Sequence, residues 1–195
     1  MSGSPEIIGL RQADYRRMRW KNGAGWTTEI AQVAAGDGGF AWRVSIAEVD
    51  ADGDFSAFPG VDRSLLVLSG EGMALDFGAG APTLVRPLAE AVVFAGEAAV
   101  HARLLGGPTR DFNVMTRRHR YGHTLVLRGP GEPSRLIRDR RRSWLVHVLA
   151  GAVLGFSTGD SFSLGEGPEA TLVVPGAATL VIVGLLRRAE PVRGA

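Results

Sequence analysis

Apolar residues in this chain come in short alternating runs that glycine or proline soon cuts off, and no other feature constrains the fold as strongly. The 195 residues include 27 glycines and 10 prolines. Helical spacing is weak almost throughout; the one helix-like stretch, Gly9–Arg17, is short and polar. Period-2 alternation, by contrast, predicts strands over Ala41–Val49, Ser64–Ser69, Met73–Phe77, Thr83–Val85, Ala91–Phe94, Val100–Leu105, Asp111–Met115, Thr124–Leu127, Trp144–Leu149, Ser161–Leu164, Thr171–Val174 and Thr179–Leu186. Many short strands at this spacing argue for an all-β sandwich or barrel.

The runs also repeat. Leu66–Gly70 aligns with His147–Gly151, and Val92–Gly96 aligns with Leu172–Gly176. In each half a strand ends at a glycine, and a second strand ends at a glycine further on. This predicts two similar β units in tandem, residues 1–118 and 119–195, each covering sheet edges of the other. The first half carries nearly all the unusual polar motifs, which makes it the working unit and the second a structural copy.

Composition closes off several function classes. There is no cysteine, so disulfides, thiolate catalysis and cysteine-ligated metals are excluded. The cytoplasm is the expected compartment, since the N-terminal residues lack an apolar signal core. No apolar run reaches the roughly 18 residues of a membrane helix. The four histidines, His101, His119, His123 and His147, form no H-x-H pair, so no metal is expected. Five arginines between Arg135 and Arg142 read as a solvated inter-domain turn, because the net charge is only +2 and no aromatics interleave; nucleic acid is not an expected partner.

Four segments can carry chemistry. Arg19–Glu29 packs Lys21, Asn22, Glu29, Trp20 and Trp26 around Gly23 and Gly25, the make-up of either a binding loop or a glycine turn. Lys21 is the chain's single lysine. In Ala41–Ala47 the alternation puts Arg43 and Ser45 opposite Trp42, Val44 and Ile46. Asp54–Arg63 reads as a loop, with Phe55 and Phe58 forming either a packed cap or a lid, and Arg63 at the entry of the next strand. In Arg110–Met115, Asp111, Asn113 and Met115 share one strand face, although Asp and Asn are poor strand formers. Such residues pair a buried arginine, hold a loop or contact a ligand.

Taken together and in this order, Trp20–Ile30, Trp42–Ala47, Phe55–Arg63 and Arg110–Arg118 resemble the HutD/Ves family of small bacterial proteins. The resemblance covers much of the first 118 residues and becomes general beyond Tyr121. It implies two cupin-like β-barrels in tandem, a bicupin, with the second barrel degenerate. It also implies a link to bacterial histidine utilisation or, in the Ves branch, to stress responses. The metal-binding histidine motif of cupins is missing here, so no cofactor is expected.

The leading expectation is a metal-free regulatory protein binding a small carboxylate in the first barrel, with formylglutamate or urocanate as the natural ligands. Lys21, Arg43 and Arg63 would neutralise the anion, Asn22, Ser45, Asp111 and Asn113 would orient it, and Trp20, Phe55, Phe58 and Met115 would wall the pocket. Two alternatives stand beside it. One is an enzyme using Lys21 with Glu29 or Asp111 as acid and base. The other is a protein-binding regulator with no ligand. A homodimer through an exposed sheet face is left open.

Overall fold

A computed structural model describes residues 5–20 and 23–189. The first strands are β1 (Ile8–Leu10), β2 (Arg16–Arg19), β3 (Gly25–Ala34), β4 (Phe40–Val49) and β5 (Gly53–Asp54). Then come β6 (Val61–Ser69), β7 (Met73–Asp76), β8 (Thr83–Val85), β9 (Val92–Ala95), β10 (His101–Leu104) and β11 (Thr109–Arg117). The chain continues through β12 (Tyr121–Arg128), β13 (Ser134–Arg138), β14 (Arg142–Ala150), β15 (Ala152–Val153) and β16 (Phe156–Ser157). It ends with β17 (Ser161–Leu164), β18 (Ala170–Val174) and β19 (Thr179–Arg187). The only helical element among the described residues is a 3-10 turn at Gln12–Asp14, and no helix is long and apolar enough to cross a membrane. The helix-like stretch at Gly9–Arg17 is therefore strand, turn and strand. A polar segment of that length gains little from forming a helix alone, whereas its backbone finds partners on β17 and β3.

The chain divides into two compact units. One runs Tyr15–Arg118; the other takes in the chain up to Asp14 and from His119 onward. In the first, a six-stranded antiparallel sheet of order β2-β3-β4-β11-β6-β9 accompanies a four-stranded sheet of order β5-β10-β7-β8. Ala47, Leu65, Val67 and Phe94 from the larger sheet share one apolar core with Met73, Leu75, Val85 and Ala102 from the smaller. In the second unit a five-stranded sheet, β1-β17-β14-β19-β12, shares a core with the β13-β18 and β15-β16 pairs through Val146, Phe162, Leu180, Leu136, Val174 and Phe156.

The expected cupin-like barrels are corrected here. Each sheet keeps two open ends, β2 and β9 in the six-stranded layer and β1 and β12 in the five-stranded one, so none closes on itself. The physical reason lies in the smaller layers. Strands of two to four residues, such as β5, β7, β8 and β10, are too short to ladder onto both edges of a long-stranded sheet. The units are layered open sheets.

The repeat takes a definite form. The order β4-β11-β6-β9 recurs as β12-β19-β14-β17, with the same antiparallel pairing. The residue skipped at the bulge is Leu68 in β6 and Leu149 in β14, 81 positions apart. Each strand then runs into a left-handed glycine, Gly70 (φ 94°) or Gly151 (φ 93°). The alignment of Leu66–Gly70 with His147–Gly151 follows this correspondence. That of Val92–Gly96 with Leu172–Gly176 does not: β9 pairs with β6 as β17, not β18, pairs with β14. The clustered arginines sit inside the second unit, at the end of β13 and the start of β14. There Asp139 Oδ1 accepts from the Arg141 and Arg142 backbone amides and shapes the turn.

Candidate functional site

The cavity is built on one face of the central strands of the six-stranded sheet. Alternation puts Arg43, Ser45 and Ala47 of β4 on the same face as Asp111, Asn113 and Met115 of β11. The ladder sets Arg43 opposite Met115, Ser45 opposite Asn113 and Ala47 opposite Asp111. On the other side of β11, Arg63 of β6 also pairs with Met115. Arg43 and Arg63 thus flank one thioether from two strands, about 10 Å apart at the backbone by the usual strand spacing. The remaining lining residues are Arg19, Trp20, Thr27, Asp54, Phe55, Ser56 and Phe58, around a hollow of about 560 Å³.

The Trp20 wall comes from the glycine-rich motif, which is a hairpin turn between β2 and β3. The Trp20 amide donates to the Gly25 carbonyl at 3.0 Å, and the Gly23 amide donates to the Trp20 carbonyl at 3.0 Å. The indole Nε1 donates to Thr27 Oγ1 at 2.8 Å, which aims the ring at the cavity. Gly25 is required by close approach: a Cβ there would overlap the Glu48 carbonyl oxygen and lie 3.2 Å from the Trp20 ring. Lys21 and Asn22 lie outside the described residues.

The aromatic wall is anchored rather than loose. The Phe55 amide donates to the Val100 carbonyl at 2.9 Å and the Phe58 amide to the Gly96 carbonyl at 2.7 Å. These bonds fix the backbone that carries the Phe55 and Phe58 rings. The Phe58 centroid lies 5.5 Å from the Arg43 guanidinium carbon and 5.7 Å from that of Arg63. Phe40 covers Arg43 as well, while Phe55 and Phe94 cover Arg63. Ring faces stabilise a cation that has been removed from water.

Arg63 is 5% exposed. Its Nη2 donates to Asn113 Oδ1 at 3.1 Å and its Nη1 to the Ser56 carbonyl at 3.4 Å. Asn113 Nδ2 in turn donates to Asp111 Oδ1. Burial pushes the Asp111 carboxyl up to about 7, against the opposing pull of the Arg63 charge. Burial likewise lowers Arg63 to about 10; the Asp111 charge opposes this and Arg43 adds to it. Arg43 is also lowered by burial, with Glu29 opposing. Its Nη2 donates to Met115 Sδ at 3.4 Å, and it makes no ion pair among the described residues. The Nε groups of Arg43 and Arg63 and the Asp111 Oδ2 are buried with no hydrogen-bond partner among the described residues.

Of the residues singled out from the sequence, the cavity gathers Arg43, Ser45, Arg63, Asp111, Asn113, Trp20, Phe55, Phe58 and Met115. Glu29 lies opposite Ser45 on the neighbouring strand but is no part of the lining, and its carboxylate lies 3.7 Å from Arg16. Arg19, Thr27, Ala47, Asp54 and Ser56 were not singled out. Extending the β4 alternation by two residues would have found Ala47; the others depend on pairing across strands. Among the described residues no three His, Asp or Glu side chains converge as a metal site would need.

In the second unit the same positions are filled. Through the matching registers, Leu180, Ile182 and Gly184 stand where Asp111, Asn113 and Met115 stand, and Trp144 replaces Arg63. The Trp144 ring comes within 2.9 Å of where a Gly184 Cβ would be. Leu180 and Ile182 belong to the apolar core of the second unit, and Trp144 packs against that core.

The family described as HutD is matched over residues 12–183. An uncharacterized 21.2 kDa protein of the hutC 3' region in Pseudomonas putida is 47% identical over 116 residues, which cover 57% of this chain and 59% of that protein. Protein Ves of Citrobacter koseri is 40% identical over 111 residues, covering 55% of this chain and 58% of its own length. The chain thus spans less than two thirds of the curated relatives it matches. The structure of HutD from Pseudomonas fluorescens SBW25, determined in a formate condition, superposes with a TM-score of 0.84 at 33% identity, covering 94% of this chain and 100% of that one.

Proposed function

The chain belongs to the HutD family, and on that premise we propose that it binds a small carboxylate metabolite in the Arg43–Arg63 cavity, in a regulatory role. The observation that carries this reading is the pair of guanidiniums facing one hollow, neither bonded to a carboxylate among the described residues. A guanidinium with free N–H groups in a low-dielectric cleft is a strong receptor for a carboxylate. The aromatic walls exclude the water that would compete. A histidine-degradation intermediate, formylglutamate or urocanate, fits the family's link to that pathway, and on this reading the protein works in the cytoplasm. The Tyr15–Arg118 unit does the binding and the other is structural, a division supported by the apolar residues and Trp144 that stand at the matching positions of the second unit. A protein-docking role fits less well, because the polar motifs line a hollow rather than an exposed patch.

Calorimetric titration of the full chain with N-formylglutamate and with urocanate tests the reading. Micromolar binding that is lost in Arg43→Ala supports it; no heat with either compound overturns it.

One observation favours a catalytic variant. Asp111 is a cavity carboxyl held near neutrality, as suits a general base. On a formylated amine it would take a proton from the water attacking the formyl carbon and return it to the nitrogen as the C–N bond breaks, releasing formate. The Lys21–Glu29 pairing has no such support, since Glu29 faces Arg16. Incubation with N-formylglutamate and an assay for formate decides this variant, and the absence of formate removes it.

A further inference from the structure

We infer that the Thr27 hydroxyl is a specificity-determining donor of the cavity. It gives its hydrogen to an acceptor at the end of the ligand away from Arg43, so the site favours carboxylates that end in an acyl oxygen or an azole nitrogen over those that end in hydrocarbon. This rests on the carboxylate reading of the same cavity and gives that ligand a second fixed end.

An indole nitrogen only donates. Trp20 Nε1 meets Thr27 Oγ1 at 2.8 Å, so the hydroxyl oxygen accepts there and its own hydrogen must point elsewhere. That hydrogen has no acceptor among the described residues. Thr27 is half-buried and lines the hollow, as does the ring that fixes it. Opposite Thr27 in the β3–β4 ladder stands Ala47, so β4 raises only a methyl group beside the hydroxyl, and Ala47 is itself part of the lining. Arg43 lies four residues along β4 from Ala47, about 13 Å at the usual rise of a strand. Its guanidinium packs on Phe40, further along β4 in the direction away from Ala47. The guanidinium and the hydroxyl therefore serve different ends of one sheet face. A ligand whose anion lies against Arg43 carries its other end towards Thr27 and the Trp20 ring. A hydrocarbon there leaves the hydroxyl hydrogen without a partner once water is displaced, whereas a carbonyl oxygen or a ring nitrogen receives it.

Two pairs of compounds differing only at the acceptor test this, by calorimetric titration of the full chain at about pH 7.5, where a free imidazole is mostly neutral. One pair is 2-(2-oxopropyl)glutarate and 2-(2-methylallyl)glutarate, in which a methylidene carbon replaces a carbonyl oxygen. The other is urocanate and 3-(1H-pyrrol-3-yl)acrylate, in which a C–H replaces a ring nitrogen. The wild-type chain is expected to bind the acceptor member of at least one pair about fivefold or more tightly than its counterpart. In Thr27→Val, which keeps the shape but not the hydroxyl, that ratio should shrink to within about twofold; in Thr27→Ser it should persist. Taking the ratio within each protein removes any general loss of affinity, including that from a shifted Trp20 ring. Thr27→Ala gives the same reading if valine does not fold. A ratio of about one in both pairs for the wild type overturns the inference without any variant and leaves carboxylate binding standing. So does a preference that survives in Thr27→Val. Failure of all four compounds to bind overturns the carboxylate reading itself, and this inference with it.

Discussion

Arg43 and Met115 stand directly opposite each other in the β4–β11 ladder, and the thioether is the only hydrogen-bond acceptor that the Arg43 guanidinium meets among the described residues. Sulfur is a weak acceptor, so this cation is held by packing against Phe40 and Phe58 more than by bonds. Replacing it should therefore separate binding from stability. Arg43→Met is expected to weaken N-formylglutamate or urocanate binding at least tenfold while changing unfolding free energy by less than about 1 kcal/mol. Titration calorimetry and urea denaturation on the same preparation give both quantities. A large loss of stability would show that Arg43 is a structural residue.

Asn113 behaves differently, because it links a buried guanidinium to a buried carboxyl group. Asn113→Leu keeps the volume but leaves Arg63 and Asp111 without their shared bridge. The expected cost is about 3 kcal/mol, that of stranding buried polar groups, read from the urea midpoint at constant slope. Arg63→Met in the same background should recover part of it, since one stranded charge is gone.

Asp111 gives a pH dependence whose sign is opposite to that of a paired surface carboxylate. Its folded value, about 7, lies above the model-compound value of 3.8. Between these values the folded chain holds a proton that the unfolded chain has lost. Raising the pH through that window therefore favours unfolding, by up to about 1.4 kcal/mol per pH unit from this group. Surface carboxylates such as Asp37 and Asp160 are lowered by their hydrogen bonds and act at more acidic pH in the other direction. Urea denaturation between pH 5 and 7 should show wild-type stability falling relative to Asp111→Asn. Parallel curves would show that the carboxyl titrates normally.

The hairpin that sets Trp20 makes a further prediction. Gly25→Ala must push β3 away from the Glu48 carbonyl or displace the Trp20 ring. Gly23→Ala meets only an Arg19 tip at 3.8 Å and bears the backbone strain of φ 74°. Gly25→Ala should lose about 2–3 kcal/mol and Gly23→Ala about 1 kcal/mol. Altered tryptophan fluorescence in the former alone would mark the displaced ring.

Much of this site was legible because period 2 is a local property. Arg43 with Ser45, and Asp111 with Asn113 and Met115, announce a shared polar face from their spacing alone. The ladder that brings Arg63 to Met115 joins residues 52 apart and has no local signature. β3 was hidden for another reason: its glycine, threonines and glutamate read as a continuation of the turn that precedes it, yet pairing with β2 and β4 makes ten residues of strand. Barrel closure was misjudged because alternation says which side of a strand is apolar but nothing about whether an edge finds a partner. The second half of the repeat slipped by one strand because a strand ending in glycine looks the same at β9 and β18.

Trp144 seated over Gly184 bears on stoichiometry. A doubled architecture invites the assumption of two equivalents of metabolite per polypeptide, yet the second unit sets an indole where the first has Arg63. Saturation should come at a single molar equivalent, and the titration curve should show no cooperativity between halves. The matching registers also name the replacements that would give the second unit the same polar positions: trimming that indole and restoring the polar trio opposite it.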